Sequence, residues 1–394
     1  MRLGMIKERV VIAGCGLWTP AGVGLDAFLS CVGQRRSVFA AWGDRAAERR
    51  AELESLRAGL INDLTPFRRI FPEIKPPLPA ALSQIAMVTA REALLQAGLE
   101  SETARARVGA IFNRNRGPAS IVAKSMLPVL QQGPKKMSPL LFSQAVANAP
   151  LGALTTALGL KGPNLLTMGA GAVQIAFDEV AERRSQSMLC GAMEEVEPHS
   201  FIAALENGFI GQASEEQPDG IATFGEGAAA FVLESLDCCS QRGARPLAEV
   251  VAVEQGLDPA MTEIADLHGW GRVSAQGLAA VCELALQDAG ISAGQLDHFA
   301  GGANGHPKLE QAQTGALELL GRVELAADNP RLHLLLGDGY GLGLYLNLAW
   351  CVARLAALGV SAVEREPSRH PCYALLTHTD FHGQHTAVVL RSIA

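Results

Sequence analysis

Charge is scarce in this chain, and long apolar runs are missing. Only 19% of its 394 residues are Asp, Glu, Lys or Arg, against 48% hydrophobic. Much of the chain must therefore be buried or covered in interfaces. Net charge is −7 with no basic cluster, which argues against nucleic acid as a partner. The stretch Arg45 to Glu54 mixes both signs and reads as a solvated helical face. No apolar run reaches the roughly 20 residues of a membrane span. Residues 1–9 lack the apolar core and cleavage site of a signal peptide, so a cytoplasmic location is expected. The eight cysteines (Cys15, Cys31, Cys190, Cys238, Cys239, Cys282, Cys351, Cys372) include no C-x-x-C pair. They read as reduced, mostly core thiols, and no metal or other cofactor is expected.

What is present is organised around Leu165-Leu-Thr-Met-Gly-Ala-Gly-Ala-Val-Gln-Ile-Ala-Phe177. An apolar extended run enters a Gly-Ala-Gly turn, and a run without Gly or Pro leaves it as helix to about Arg183. The first N–H groups of such a helix are free and carry partial positive charge. Acyl-transfer enzymes place a Ser or Cys nucleophile at such an elbow, where that field favours a thiolate and an oxyanion. Here no Ser, Cys, Asp or Lys lies between Thr167 and Gln174. The stretch is either a buried helix start, with small residues for close packing, or a nucleophile elbow without its nucleophile.

The rest of the chain alternates strands and helices, the pattern of an α/β protein with buried sheets. Strands are expected at Arg9–Ala13, Arg107–Phe112, Ser187–Met193, Gly225–Glu234, Pro246–Val253 and Leu296–Ala303. The Gly14-Cys-Gly16 turn alone is a weak nucleotide signal. Ser274 caps an amphipathic helix to Ala289. Arg331–Leu336 reads as a strand leading to a Gly-rich elbow at Gly337 and a helix to Leu358. Tyr373–Leu390 reads as a terminal hairpin. The order of elements repeats, so two comparable halves, 1–245 and 246–394, are expected. Each would carry a mostly parallel five-stranded sheet, with Gly169 and Gly337 at matching elbows.

At this point the chain resembles the elongating β-ketoacyl-acyl-carrier-protein synthases. Val10-Val-Ile-Ala-Gly-Cys-Gly-Leu-Trp-Thr-Pro-Ala-Gly22 is similar to the family's "VVITGLGxxTPLG". Leu158-Gly-Leu-Lys-Gly-Pro-Asn-Leu165, Met188-Leu-Cys-Gly-Ala-Met-Glu-Glu195 and Gly225-Glu-Gly-Ala228 match further family stretches in order. The resemblance implies a thiolase-like fold, with two α/β halves in a five-layer αβαβα arrangement. The family condenses acyl chains with a Cys, two His and a supporting Lys. Its "TACASG" falls on Thr167–Ala172, which puts Gly169 at the nucleophile position. "NAHGTSTP" falls on Ala300–Pro307, which puts Gly302 at the first His, with Glu310 at the acidic position. "KSxxGHxxGAAG" falls on His333–Leu344, which puts Asp338 at the second His and His333 at the Lys. "FGFGGTN" falls on Thr379–His385, keeping Phe381 and replacing the Asn by His385.

Every chemical position has changed while the scaffold remains. The resemblance therefore implies a chain-length-factor-like paralogue that does not condense by itself. It would pair with an active β-ketoacyl synthase as a heterodimer and act on chains carried by the 4'-phosphopantetheine arm of an acyl carrier protein. Thr167, Met168, Gly169, Ala170 and Phe381 would then line the acyl pocket, with Gly169 leaving room. Such factors often carry Gln where this chain has Gly169. Other candidates have plainer readings. His306 reads as a loop residue beside Pro307, Asp338 as a helix cap and Cys190 as core. His378, His382 and His385 read as polar contacts on the hairpin; Asp380 alternates to the face of His378, but a metal there is disfavoured. The competing readings are other acyl-transfer or decarboxylation chemistry using His306, His333, Asp338 or the hairpin histidines, and a homodimeric acyl-carrier or acyl-CoA binding protein.

Overall fold

The computed structural model describes residues 7–42, 56–211, 221–262, 273–361 and 371–393, so the mixed-charge stretch at 45–54 lies outside the described residues. The first part of the chain holds β1 (Val10–Thr19), α1 (Ala81–Gln96), β2 (Gly109–Asn113), α2 (Ala119–Gln132), α3 (Ala149–Leu158), β3 (Asn164–Thr167), α4 (Ala172–Ala181), β4 (Ser187–Glu194) and β5 (Gly227–Ser235). The second part follows a similar order with β6 (Ala248–Leu257), α5 (Ala275–Ala289), β7 (Leu296–Gly301), α6 (Pro307–Leu319), α7 (His333–Leu336), α8 (Leu342–Ser361), β8 (Tyr373–Thr379) and β9 (Gln384–Arg391).

Strand periodicity explains the layers. On β5, Ala228, Ala230 and Val232 face one core with α1 and α3, while Ala229, Phe231 and Leu233 face another with α4 and α8. Successive side chains of a strand point to opposite faces, so one apolar strand serves two layers. On β9, Val388 and Leu390 join the α4–α8 core, and Ala387 and Val389 pack on α5 and α6. The sequence of layers is helix, sheet, helix, sheet, helix. The central pair α4 and α8 is apolar enough to be covered on both sides. Ser274 caps α5 as expected, its Oγ accepting the Gly277 N–H at 3.0 Å.

Within the first part β3, β2 and β4 are parallel, and β5 is antiparallel to both β4 and β1. In the second, β7 and β8 are parallel, and β9 is antiparallel to β8 and β6. Two expectations need correction. The halves do not each carry a mostly parallel five-stranded sheet: the second contributes four strands, of which only β7 and β8 are parallel. Val10–Ile12 pair with Ala248–Val250, which joins the two sets of strands into one ten-stranded sheet in the order β7-β8-β9-β6-β1-β5-β4-β2-β3, with the short strand Gly22–Val23 paired to β1 as the tenth. And Arg331–Leu336 is not a strand; it ends in the short helix α7. A short leucine run has no periodicity to separate strand from buried helix, and leucine favours helix. The Leu336 carbonyl is packed against Gly59 and Gly225, which fixes the run from outside.

Candidate functional site

β3 delivers the chain into the 168–171 turn, where Gly169 takes φ +69°. Two asparagines at the end of β2 hold this turn. Asn113 Nδ2 donates to Thr167 Oγ1 at 2.6 Å and to the Met168 carbonyl at 3.2 Å. Asn113 Oδ1 accepts from the Ala172 N–H at 3.2 Å and from the Tyr345 hydroxyl at 2.9 Å. It thereby satisfies a first-turn N–H of α4, whose N-cap Gly171 has no side chain to do so. Asn115 Oδ1 accepts the Gly169 N–H at 2.6 Å. That N–H is engaged inside the protein, whereas an acyl-transfer elbow aims its donors at a developing oxyanion.

The room expected at Gly169 is filled. A Cβ there would lie 2.5 Å from Asp380 Oδ2 and 3.3 Å from Gln384 Oε1. Asp380 sits in the turn between β8 and β9. Its Oδ1 accepts the N–H groups of His382 at 2.9 Å and Gln384 at 3.0 Å, an Asx-type turn that leaves Oδ2 directed at the elbow. Ala170 is buried, while Met168 and Gly169 border an open pocket of about 340 Å³ lined also by Gln255, Leu257, Asp380 and His382. The counterpart expected at Gly337 also shifts. Gly337 (φ +86°) packs on Phe224 and Gly225, and it is Gly341 that meets the Gly169 carbonyl.

Behind Asp380 lies a second, much smaller space of about 10 Å³, lined by Gly302, Asn304, Asp338, Tyr340 and His378 as well as Asp380. A Cβ at Gly302 would fall 2.9 Å from His378 Nδ1, so His378 occupies the space beside Gly302. Asp338 is not a helix cap: it precedes the start of α8 at Leu342 by four residues. Its Oδ1 accepts the Tyr340 N–H at 2.7 Å and its Oδ2 accepts from Asn304 Nδ2 at 2.7 Å. Its backbone bridges to Phe224, which pulls it out of the helix. The Phe381 ring lies 5.8 Å from that of Tyr340 and 3.9 Å from that of His382.

The remaining histidines separate by surroundings. His306 caps α6, its Nδ1 accepting the Lys308 N–H at 3.3 Å, and burial pushes its pKa down. His333 opens α7 and is buried. His385 is fully buried and engaged at both nitrogens, by Thr379 Oγ1 at 2.8 Å and Asp258 Oδ2 at 2.8 Å. His382 is exposed in the turn, since β8 ends at Thr379. His378 is 5% exposed, and neither ring nitrogen has a hydrogen-bond partner among the described residues. Burial pushes its pKa down, while Asp380 and Asp338 act the other way. Cys190 is core, its thiol pushed up by burial. Among the described residues no group of three or more His, Cys, Asp or Glu is placed to hold a metal ion.

Sequence reasoning missed Asn113 and Asn115. The available signal was Asn113-Arg-Asn115 directly after a strand, since α/β proteins gather their polar groups beyond the carboxyl ends of strands.

The layered fold and its elbow define a thiolase-like ketosynthase architecture. The profile of the family "Beta-ketoacyl synthase, N-terminal domain" matches residues 7–238, and the chain belongs to the β-ketoacyl synthase family. It is 24% identical over 335 residues to the 3-oxoacyl-[acyl-carrier-protein] synthase 2 of Coxiella burnetii, covering 80% of this chain and 77% of that one. To the enzyme of that name from Staphylococcus aureus it is 29% identical over 184 residues, 43% of this chain and 46% of that one. Among solved structures it is similar to the ishigamide ketosynthase/chain length factor, with TM-score 0.76 and 20% identity over 98% of this chain and 100% of that one. A type II PKS acyl-carrier protein in complex with its ketosynthase gives TM-score 0.76 and 18% identity over the same shares. At such identity these structures speak for the fold. No helix among the described residues is long and apolar enough to cross a membrane.

Proposed function

We propose that this chain is a condensation-inactive, chain-length-factor-like ketosynthase subunit. It pairs in the cytoplasm with an active β-ketoacyl synthase and shapes the acyl tunnel in type II polyketide, aryl-polyene or fatty-acid-type biosynthesis. Its two thiolase-like halves divide at 245/246. The observation that carries the reading is the elbow. Gly169 offers no thiolate, the Asp380 carboxylate stands where a side chain would be, and Asn115 holds the Gly169 N–H. An acyl-enzyme needs the nucleophile, and a carboxylate at that point repels an oxyanion or enolate.

The partner is argued from the other side of the same segment. Among the described residues β3 pairs only with β2; Leu165 and Met168 are 45% and 57% exposed, as are Phe142 and Val146 of the preceding segment at 59% and 47%. An apolar edge of this kind is a liability unless another chain covers it. A structural neighbour is a ketosynthase/chain length factor and another a ketosynthase with its acyl-carrier protein; the cargo proposed here is the acyl chain on such a carrier's 4'-phosphopantetheine arm. A second reading, other acyl-transfer or decarboxylation chemistry on this fold, is favoured by the unpartnered His378.

The test is co-expression with candidate ketosynthases, followed by size and activity measurement. The reading expects a stable heterodimer, acylation of the partner only, and no adduct on residues 165–177 by intact mass. A stable monomer that binds no ketosynthase, or turnover of acyl- or malonyl-carrier by the single chain, rejects it.

A further inference from the structure

We propose that the small chamber behind Asp380 is a binding site for the protonated amino group of a primary amine, held by His378, Asp338 and Asp380. The inference is independent of any partner subunit. It rests on an inventory of hydrogen-bonding groups. Each lining amide has a donor engaged: Asn304 Nδ2 donates to Asp338 Oδ2 at 2.7 Å, and Asn115 Nδ2 to the Gly169 carbonyl at 3.4 Å. The ionised carboxylates there only accept. Asp380 Oδ2 faces the elbow with its other oxygen already bound in the turn. Asp338 keeps carboxylate lone pairs, and a neutral imidazole presents one acceptor nitrogen in either tautomer. His378 is the independent pointer, a side chain 5% exposed whose ring nitrogens have no hydrogen-bond partner among the described residues. A buried polar ring without hydrogen bonds costs stability unless a ligand satisfies it.

Charge selects the ligand's sign. The charged or titratable groups acting on His378 are Asp380, Asp338 and His385. The guanidinium of Arg116 is held on the rings of Phe224 and Tyr340 at 4.3 and 5.0 Å and is tied to Glu194 at 3.4 Å. A carboxylate ligand would therefore meet two carboxylates, whereas an ammonium group meets complementary charge. Size selects its shape. A space of about 10 Å³ takes one water-sized group, which an ammonium head matches and a quaternary ammonium does not. Asp380 also lines the 340 Å³ outer pocket, where Met168 and Leu257 offer apolar surface to an alkyl tail.

The experiment titrates the full-length chain, with its histidine rings labelled for NMR, at fixed ionic strength. The probes are methylammonium, n-butylammonium, tetramethylammonium, potassium and acetate. Methylammonium is expected to move the His378 ring signals saturably, and n-butylammonium to do so at lower concentration. Tetramethylammonium, which has no N–H, should leave them unmoved. Asp380→Asn keeps the turn-forming oxygen, and it should weaken methylammonium binding roughly tenfold or more, as removal of a charged hydrogen-bond partner does. His378→Gln, followed by calorimetry, should weaken it as well. The probe series on the unaltered chain decides the matter even if both variants fail to fold. Saturable binding of acetate, binding of potassium or tetramethylammonium as tight as that of methylammonium, or no saturable response to either primary amine overturns the proposal.

Discussion

The segment from Asn164 to Gly171 has two sides that differ in every physical respect. Its outer side is a strand edge unpaired among the described residues, with Leu165 and Met168 half-exposed on the segment itself. Its inner side is crowded and polar: Gly169 is pressed by Asp380, tied to Asn115 and backed by Gly341. An edge strand keeps unpaired N–H and C=O groups and so retains the capacity to associate. An elbow without a side chain, with its donor engaged, has no reactive group to present. The two properties sit on opposite faces of four strand residues, so one can be lost while the other is kept.

The largest expected effect comes from attacking the outer side. Leu165→Asp combined with Phe142→Asp puts charge where the proposed partner would desolvate it. Central interface positions carry about 2 kcal/mol or more each, so the complex with a co-expressed ketosynthase should weaken by about a hundredfold or more. Both positions are half-exposed, and the fold itself should keep its thermal midpoint. Size-exclusion chromatography with light scattering reads the first effect and calorimetry the second. An unchanged complex would place the interface elsewhere.

The inner side is broken by adding one carbon. Gly169→Ala forces a left-handed backbone on a residue with a Cβ, at about 1–2 kcal/mol, and overpacks the Asp380 contact, at about 1–3 kcal/mol. A destabilisation of roughly 2–4 kcal/mol in denaturant melts is expected from these together. Asp380→Gly in the same chain should return the packing part and leave the backbone part, a non-additivity that a double-mutant cycle isolates. Gly169→Cys should likewise give no condensation if, as the motif order implies, Gly302 and Asp338 stand at the two His positions.

Much of the scaffold was legible because it rests on local rules. The apolar alternation of β5 and β9, the Ser274 cap and the run without Gly or Pro of α4 each determine structure over a few residues. The Arg331–Leu336 run failed because four apolar residues carry no usable period, and a contact from Gly59 and Gly225 decided it. Motif order could propose Gly169, Gly302 and Asp338 as the replaced positions. It could not say what surrounds them. Asp380 reaches Gly169 and His378 reaches Gly302 from a hairpin 211 and 76 residues away in sequence, and nothing in the spacing of residues 377–382 says which way a turn carboxylate will face.

Acid should separate the anchor of that hairpin from its tip. Asp258 is held below the usual carboxylate range; burial opposes this, but N–H donors from Ser274 and Ala260 and the His385 ring outweigh it. A depressed folded-state pKa contributes stability that is present above the ordinary carboxylate value and lost as pH falls through the folded one. His378 is also depressed, by burial, so the unfolded chain takes up its proton first and stability declines as pH falls below about 6.5. Two limbs are therefore expected in stability against pH. His385 and His306 are depressed by burial as well and share the upper limb, so His378→Leu should reduce it and Asp258→Asn should reduce the lower one, each measured by denaturant melts at stepped pH. An upper limb unaffected by His378→Leu would mean that His378 does not contribute to it.

The smallest expected effect tests whether the pocket between the two sides has a role in chain length. Met168 is 57% exposed and stands where the bare edge turns into the elbow, bordering the outer pocket with Leu257 across from it. If the acyl chain of the complex extends along this wall, Met168→Trp removes volume from its far end without touching the partner's nucleophile. The partner should then acylate at an unchanged rate, and the product distribution should move down by about one extension unit, because burying each added methylene gains about 0.8 kcal/mol only while there is space for it. Leu257→Trp narrows the same pocket from β6 and should shift products in the same direction. Mass spectrometry of carrier-bound products reads the distribution, and intact mass of the partner reads its acylation. Shorter products with normal acylation would tie chain length to this wall. Unchanged products from both variants would leave the outer side of the segment with association as its one function, and the pocket free for the amine proposed above.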